Sequence, residues 1–331
     1  MFQPSPNTLE CSLCPRRCRL RPGQRGFCFI RQNSGEEIVN TSFGLTTGVA
    51  VDPIEKKPLY HFYPKSHALS FGTLGCNMGC LFCQNSHISK NREAGVLGAS
   101  LPPQKVGALA TYYNCKCVAF TYNDPIIWSD YAVKSAEICH ESGLKTIAVT
   151  AGYILPEPRK EFFAHMDAAN IDLKAFSSHF YQKYCQADIN HILDTILYVK
   201  NNTNCWLELT TLLIPGLNDS DQELIALTQW IHKELGADVP LHFSAFHPAY
   251  QLKDLPSTPP QTLFKARAIA IAQGLHHVYT GNIAHPESQS TYCPKCGTVL
   301  IERSWNKTDL KELDTATGTC RKCTCKLSGL F

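Results

Sequence analysis

Between residues 68 and 280 the chain alternates between two hydrophobic periods, and this leaves few architectures open to it. Strand-like segments at 68–73, 117–121, 145–150, 169–174, 205–213, 240–245 and 276–280 alternate with helical ones near 104–114, 129–142, 157–166, 178–200, 219–235 and 261–273. In the segment at 129–142, Ser129 is placed to cap the start. Ala132, Val133, Ala136 and Cys139 share one face, and Gly143 supplies a stop. Strands joined through helices form right-handed βαβ units and a parallel sheet. Six or seven such units imply a barrel, complete or partial, or an open doubly wound sheet.

The faces of the strands narrow the choice. In Ile171-Asp172-Leu173-Lys174 the two charges share one face and the two aliphatics the other. Trp206, Glu208 and Thr210 lie opposite Leu207 and Leu209, and His242 and Ser244 lie opposite their apolar neighbours. A sealed barrel core carries branched aliphatics at such positions. Each charge taken singly is explained by structural pairing, but three successive polar fronts favour an α/β fold of partial (β/α)6 type, with helices outside and chemistry in an open lumen. The divisions expected are 1–65, an N-terminal module and lead-in; 66–285, the barrel; and 286–331, a C-terminal module.

Seventeen cysteines are the compositional outlier. The start, Met1-Phe2-Gln3-Pro4-Ser5-Pro6, lacks the layout of a secretion signal, and no apolar run approaches the ~20 residues of a membrane span. Tight cysteine spacings then suggest a reduced cytoplasm and bound metal rather than disulfides. Cys115, Cys117, Cys139, Cys185 and Cys205 lie outside the clusters and suit burial as small hydrophobes. A net charge of +3 is too small to argue for nucleic acid or an anionic membrane as partner, and an acidic or RNA substrate is neither suggested nor excluded.

Cys76, Cys80 and Cys83 form a C-x3-C-x2-C triad just after the first strand candidate. Three cysteines can hold a cubane iron–sulfur cluster while leaving one iron open to a ligand. Zinc usually collects cysteines as two C-x2-C pairs, which this loop does not offer. The spacing, with Phe82 before the last cysteine, resembles the signature of radical S-adenosylmethionine (SAM) enzymes. That resemblance implies a [4Fe–4S] cluster whose open iron binds SAM. Reductive cleavage of SAM then gives a 5′-deoxyadenosyl radical, with an electron donor such as flavodoxin or ferredoxin.

The groups that SAM presents suggest further contacts. Lys174 suits its carboxylate, and Asp172 could take a cation or position Lys174. Asn123-Asp124-Pro125 falls where the family carries its Gly-Gly-Glu motif, although an Asx turn before Pro125 explains these residues equally well. Thr150 could approach the ribose, and Phe82 the adenine. Glu208, Thr210, His242 and His247 are candidates for substrate binding or proton transfer, with hydrogen-bonded structural roles as the alternative for each.

Two further cysteine groups flank the barrel. Cys293, Cys296, Cys320 and Cys323 resemble a zinc ribbon, with Cys325 a rival ligand and a second iron–sulfur cluster the rival metal. Cys11, Cys14, Cys18 and Cys28 suffice for zinc or for a [4Fe–4S] cluster; their uneven spacing fits neither pattern closely, and zinc is weakly favoured.

Longer motifs extend the resemblance over nearly the whole chain. Asp52-Pro53-Ile54-Glu55-Lys56-Lys57-Pro58-Leu59, Asn170-Ile171-Asp172-Leu173-Lys174, Leu213-Ile214-Pro215-Gly216 and Tyr279-Thr280-Gly281-Asn282 look like those of AmmeMemoRadiSam-system radical SAM proteins. That family is similar to pyruvate formate-lyase activating enzymes. Membership implies Memo-like and AMMECR1-like proteins as partners. It names no substrate, which could be a protein, a nucleic acid or a small molecule. Glycyl radical activation is the alternative enzymatic function. A non-enzymatic multi-zinc scaffold or nucleic-acid-binding protein would leave the central triad unexplained, and the chain lacks a basic, aromatic-interleaved stripe.

Overall fold

The structure, a computed structural model, describes residues 7–92, 98–304 and 307–331, so the start at Met1–Pro6 lies outside the described residues. Its centre is an eight-stranded sheet. Strands β1 (Val49–Pro53), β2 (His67–Phe71), β3 (Cys117–Phe120), β4 (Lys145–Thr150), β5 (Ala168–Asp172), β6 (Trp206–Leu213), β7 (Leu241–Ala245) and β8 (Val278–Gly281) lie side by side in chain order. From β2 to β8 every pairing is parallel, and β1 runs antiparallel along the outer edge of β2. Among the described residues β8 does not pair with β1, so the barrel stays partial.

Six helices cross between the parallel strands: α1 (Pro103–Tyr112), α2 (Ser129–Glu141), α3 (Pro156–Ala164), α4 (Ile189–Asn202), α5 (Asp221–Leu235) and α6 (Pro260–Ala272). Helix α5 shows the local logic. Ser220 accepts from Glu223 N at its start, and Leu224, Leu227, Ile231 and Leu235 make one buried stripe. Gly236 ends it at φ +90, a conformation that side chains resist.

Two expectations fail locally. Ser129 does not cap α2, because a 3-10 turn over Pro125–Trp128 runs straight into it and Asp124 caps that turn by accepting from Ile126 N. The continuous helix expected over 178–200 is interrupted. A π turn at Tyr181–Cys185 ends on Gln186 at φ 51, and α4 restarts behind its own cap, Asp188. The π turn frees the carbonyls of Tyr184 and Cys185 for another loop.

The lumen is open at one end only. Ile54, Leu59 and Phe62 fill the end at the strand N-termini, against Ala68, Cys117, Ala119, Ile147 and Ala168. The small inward residues leave room for this plug, and burying each large side chain contributes about 1.5–3 kcal/mol. Polar groups fix its backbone. Glu208 accepts from Tyr60 N at 2.9 Å and from His61 N at 2.7 Å, and Asn170 Nδ2 donates to Pro58 O at 2.8 Å. The C-terminal tail seals it from below, with Leu330 N donating to His61 O at 2.8 Å. Residues at the strand C-termini stay uncovered.

The N-terminal cysteine module docks through Arg31, which forms a two-pronged pair with Asp130 at 2.9 and 3.0 Å and donates to Ile127 O at 2.6 Å. The C-terminal module has its own small core of Leu300, Ile301, Leu313 and Leu327 around Cys293 and Cys320. No helix among the described residues is long and apolar enough to cross a membrane.

Candidate active site

Cys76, Cys80 and Cys83 sit on the loop after β2 and line a cavity of about 350 Å³ at the C-terminal ends of the strands. That loop is held from several sides. Asn123 Nδ2 donates to Thr73 Oγ1, Leu74 O and Gly75 O, and its Oδ1 accepts from Thr73 N and Trp128 Nε1. Gly79 N donates to Cys185 O at 2.8 Å and Leu81 N to Tyr184 O at 2.9 Å, which gives the π turn its purpose. Asn77 Nδ2 reaches Tyr153 O at 2.7 Å. Gly75, at φ +80, presses so closely on the N-terminal module that a Cβ there would lie 1.9 Å from Cys28 O.

The other walls come from successive strands. Beyond β5, Lys174 Nζ pairs with Asp172 Oδ2 at 2.9 Å. Burial opposes the charge on Lys174, but the Asp172 carboxylate together with the Cys80 and Cys185 sulfurs outweighs it and holds the amine well above its ordinary range. Thr210 of β6 and Ser244 of β7 also line the cavity, and the Thr210 hydroxyl oxygen is buried without a partner. Phe82 lies beside the cavity and packs on Phe180, ring centroids 5.7 Å apart.

Three residues expected to touch SAM are engaged with the protein itself. Asn123 spends its amide on the loop. Asp124 accepts from Thr150 Oγ1 at 2.7 Å, Ala151 N at 3.0 Å and Ile126 N at 3.1 Å. Thr150 also accepts from Gly152 N. Burial pushes the Asp124 carboxyl up, against those three hydrogen bonds. The Asx turn is therefore present, at the edge of the cavity.

A second cavity of about 840 Å³ adjoins the first and shares Lys57, Tyr122, Ser244 and Asn282 with it. The C-terminal module supplies part of its wall through Arg303, Lys307 and Asp309. His242 faces this larger space, whereas Glu208 lies beneath it, fully buried. His247 is not brought to either cavity. It is exposed on the loop after β7, 3.3 Å from Ser257 Oγ, because its strand has ended two residues earlier.

Sequence reasoning gave no individual role to a triad at the junction of the two cavities. Asp52 Oδ2 is 2.7 Å from Lys57 Nζ and accepts from Tyr122 OH at 3.0 Å. Lys57 is only 4% exposed, and Tyr122 sits at φ 70, a strained position for an aromatic residue. The available signal was a doubled lysine in a short charged segment bracketed by Pro53 and Pro58.

The cysteine modules differ from each other. The sulfurs of Cys293, Cys296, Cys320 and Cys323 all lie within 4.8 Å of one another, with Cys293–Cys323 at 3.5 Å and Cys296–Cys320 at 3.7 Å. This is the spacing of a tetrahedral four-sulfur site, and Cys325 stands outside it. Cys11, Cys14, Cys18 and Cys28 line one small cavity together.

A parallel-stranded partial barrel with three cysteines on the first loop defines a class of enzyme. The radical SAM superfamily model matches residues 71–228, so the chain carries a radical SAM domain there. It is 39% identical over 317 residues to an uncharacterized protein of Methanocaldococcus jannaschii, spanning 96% of this chain and 94% of that one. It is also 29% identical over 117 residues to the 4-hydroxyphenylacetate decarboxylase activating enzyme of Clostridium scatologenes, a match spanning 35% of this chain and 38% of that protein. Among solved structures, a radical SAM methyltransferase from Sphaerobacter thermophilus superposes with a TM-score of 0.53 over 72% of this chain and 71% of that one. At 16% identity this shows the shared fold alone.

Proposed function

We propose that this chain binds a [4Fe–4S] cluster through Cys76, Cys80 and Cys83 and SAM in the 350 Å³ cavity beside them, and acts on a substrate held in the adjoining 840 Å³ cavity. When bound, the cluster and SAM together supply reductive cleavage of SAM to a 5′-deoxyadenosyl radical that takes hydrogen from the substrate. The observation that carries this proposal is the meeting of three cysteines, the Lys174–Asp172 pair and the partnerless Thr210 hydroxyl on one cavity.

These groups match the parts of SAM. Lys174 supplies a fixed positive charge for the carboxylate, and Asp172 an acceptor for the ammonium group. Asn123, Asp124 and Thr150 act as positioning residues, since they lock the cysteine loop to β3 and β4. Both cavities fall within the size range of small-ligand sites. His242, supported from below by Glu208, is placed to hold or move a proton in the larger one.

Deuterium transfer tests the proposal. Reduced protein with SAM is incubated with fractions of a deuterium-grown cell extract, and 5′-deoxyadenosine is examined by mass spectrometry. Deuterium in 5′-deoxyadenosine with one fraction supports hydrogen abstraction and points to the substrate. Conversion of SAM to S-adenosylhomocysteine instead would count against it.

The activating-enzyme relative favours a second reading, in which the substrate is a glycine in the backbone of a partner enzyme. An oxygen-sensitive glycyl radical signal on a co-incubated glycyl radical enzyme would support it. An organism encoding no such enzyme would exclude it.

A further inference from the structure

The 840 Å³ cavity is walled mostly by three stretches far apart in sequence: residues 52–67, the ends of β7 and β8, and a hairpin of the C-terminal module. The hairpin strands, Val299–Ser304 and Lys307–Leu310, pair antiparallel. Arg303, only 2% exposed, pins them to the lead-in. It donates to Tyr60 O at 2.7 Å and to Thr291 Oγ1 at 2.8 Å, and its guanidinium lies 4.1 Å from the centre of the Tyr60 ring. The C-terminal module is thus a fixed wall of this cavity.

Positive charge gathers on the lining. With histidine counted as neutral, Lys56, Lys57, Lys65, Arg303 and Lys307 face only three carboxylates, an excess of two. The three carboxylates are already matched. Lys57 Nζ lies 2.7 Å from Asp52, Arg303 Nε 3.9 Å from Glu55 and Lys307 Nζ 2.6 Å from Asp309. Lys56 is left to share Asp52, at 3.7 Å. Lys65 N donates to Glu55 Oε1 at 2.9 Å, but its ammonium has no ion-pair partner among the described residues. The two surplus charges stand apart. Lys56 borders both cavities, whereas Lys65 borders the larger one alone. Lys307, with Lys311 and Lys65 adding to it, holds the Asp309 carboxyl below its ordinary range, which places Lys65 on the hairpin side.

We infer that the larger cavity takes a small acidic substrate, whose phosphate or carboxylate groups neutralise Lys56 and Lys65. A cleft lined by one surplus sign of charge concentrates ligands of the other sign. The whole chain carries +3, and two of those charges lie on this lining, so one remains for all other surfaces. That is too little for the basic face a nucleic acid requires, whereas the volume suits a small molecule. An acidic group held beside Lys65 and the hairpin leaves the other end of the molecule at the junction with the SAM cavity. That the bound acid is a substrate rests on the function proposed above; that the cavity binds an acid does not.

Two readouts test this. In the deuterium-transfer assay, the active fraction should pass an ultrafilter that holds back macromolecules and should bind an anion-exchange resin at neutral pH. Loss of transfer after phosphatase treatment identifies a phosphate, and its survival a carboxylate. Transfer from an unbound or a macromolecular fraction would overturn the inference. Binding is read without activity, by equilibrium dialysis of the reconstituted protein against labelled inorganic phosphate and labelled succinate at low salt. At least one of the two should bind saturably. Lys56→Gln combined with Lys65→Gln leaves three cations for three carboxylates. That pair of changes should weaken binding roughly tenfold, while Lys56→Arg with Lys65→Arg should preserve it. Saturable binding of neither probe, or equal binding by the Gln variant, would overturn the inference. Failure of the radical proposal looks different: no fraction yields deuterium, yet dialysis still shows binding that depends on Lys56 and Lys65.

Discussion

His242 Nε2 lies 2.7 Å from Glu208 Oε2, and the same carboxylate accepts from Tyr60 N, His61 N and Trp206 Nε1. One inward-facing acid thus ties the plug to the barrel wall and fixes the imidazole that faces the larger cavity. Glu208→Ala strands four donors in a dry interior and is expected to cost about 3–5 kcal/mol in urea unfolding. A loss below about 1 kcal/mol would show that the plug does not depend on this clamp.

Asn123 makes five hydrogen bonds, four that join the end of β3 to the cysteine loop and one with Trp128. Asn123→Ala leaves Thr73 N and Trp128 Nε1 unpaired, at a cost of roughly 2–4 kcal/mol. The loop loosens with it, so the variant should lose iron faster than wild type to a chelator under anaerobic conditions. Equal rates of loss would mean that the loop is held elsewhere.

Lys174 is the cation closest in kind to what the SAM carboxylate requires. Replacing it with Gln removes a charged hydrogen bond of about 1.5–3 kcal/mol, so SAM should bind roughly tenfold to a hundredfold more weakly. Equilibrium dialysis of the cluster-loaded protein measures this directly, and unchanged affinity would move the carboxylate site away from β5.

Much of this site was legible in the sequence, for physical reasons. Strand period and helix caps recovered the seven parallel strands, because each has one face packed under helices. The polar fronts of Asp172, Thr210, His242 and Ser244 follow from the same alternation and do face the lumen. What period cannot show is occupancy. Glu208 and Thr210 lie two residues apart on one face, yet Glu208 is consumed by a plug from residues 54–62, whose contacts are more than a hundred residues away in sequence. The π turn was hidden because Tyr181–Cys185 retains helical composition. Its break is dictated by the cysteine loop, which needs two carbonyls there. His247 looked like a lumen residue only because it follows a lumen strand.

Acid should weaken the fold through two buried histidines. Burial, reinforced by the neighbouring His277, holds His61 well below the ordinary histidine range; burial holds His277 down to about 4. His61 Nδ1 donates to Ser328 O, so its Nε2 accepts from Tyr279 OH, and this second bond requires the neutral ring. With folded values below unfolded ones, the unfolded chain takes up protons first. Stability is therefore complete above about pH 7.5 and falls as pH drops through 6.5 toward 4. His277 alone contributes about 2 kcal/mol of loss between about pH 7.5 and about pH 5, and His277→Gln should remove that share of the slope. An unchanged slope in that variant would assign the acid sensitivity to other groups.

The central claim is that Cys76, Cys80 and Cys83 support radical chemistry on SAM in the cavity they line. The most direct test is to reconstitute the protein anaerobically with iron and sulfide, reduce it with dithionite, add SAM, and quantify 5′-deoxyadenosine beside a Cys80→Ala control. Formation of 5′-deoxyadenosine by wild type and not by Cys80→Ala is the predicted result. Equal amounts from both proteins, or none from wild type with its reduced cluster verified and the substrate-containing extract present, would contradict the account.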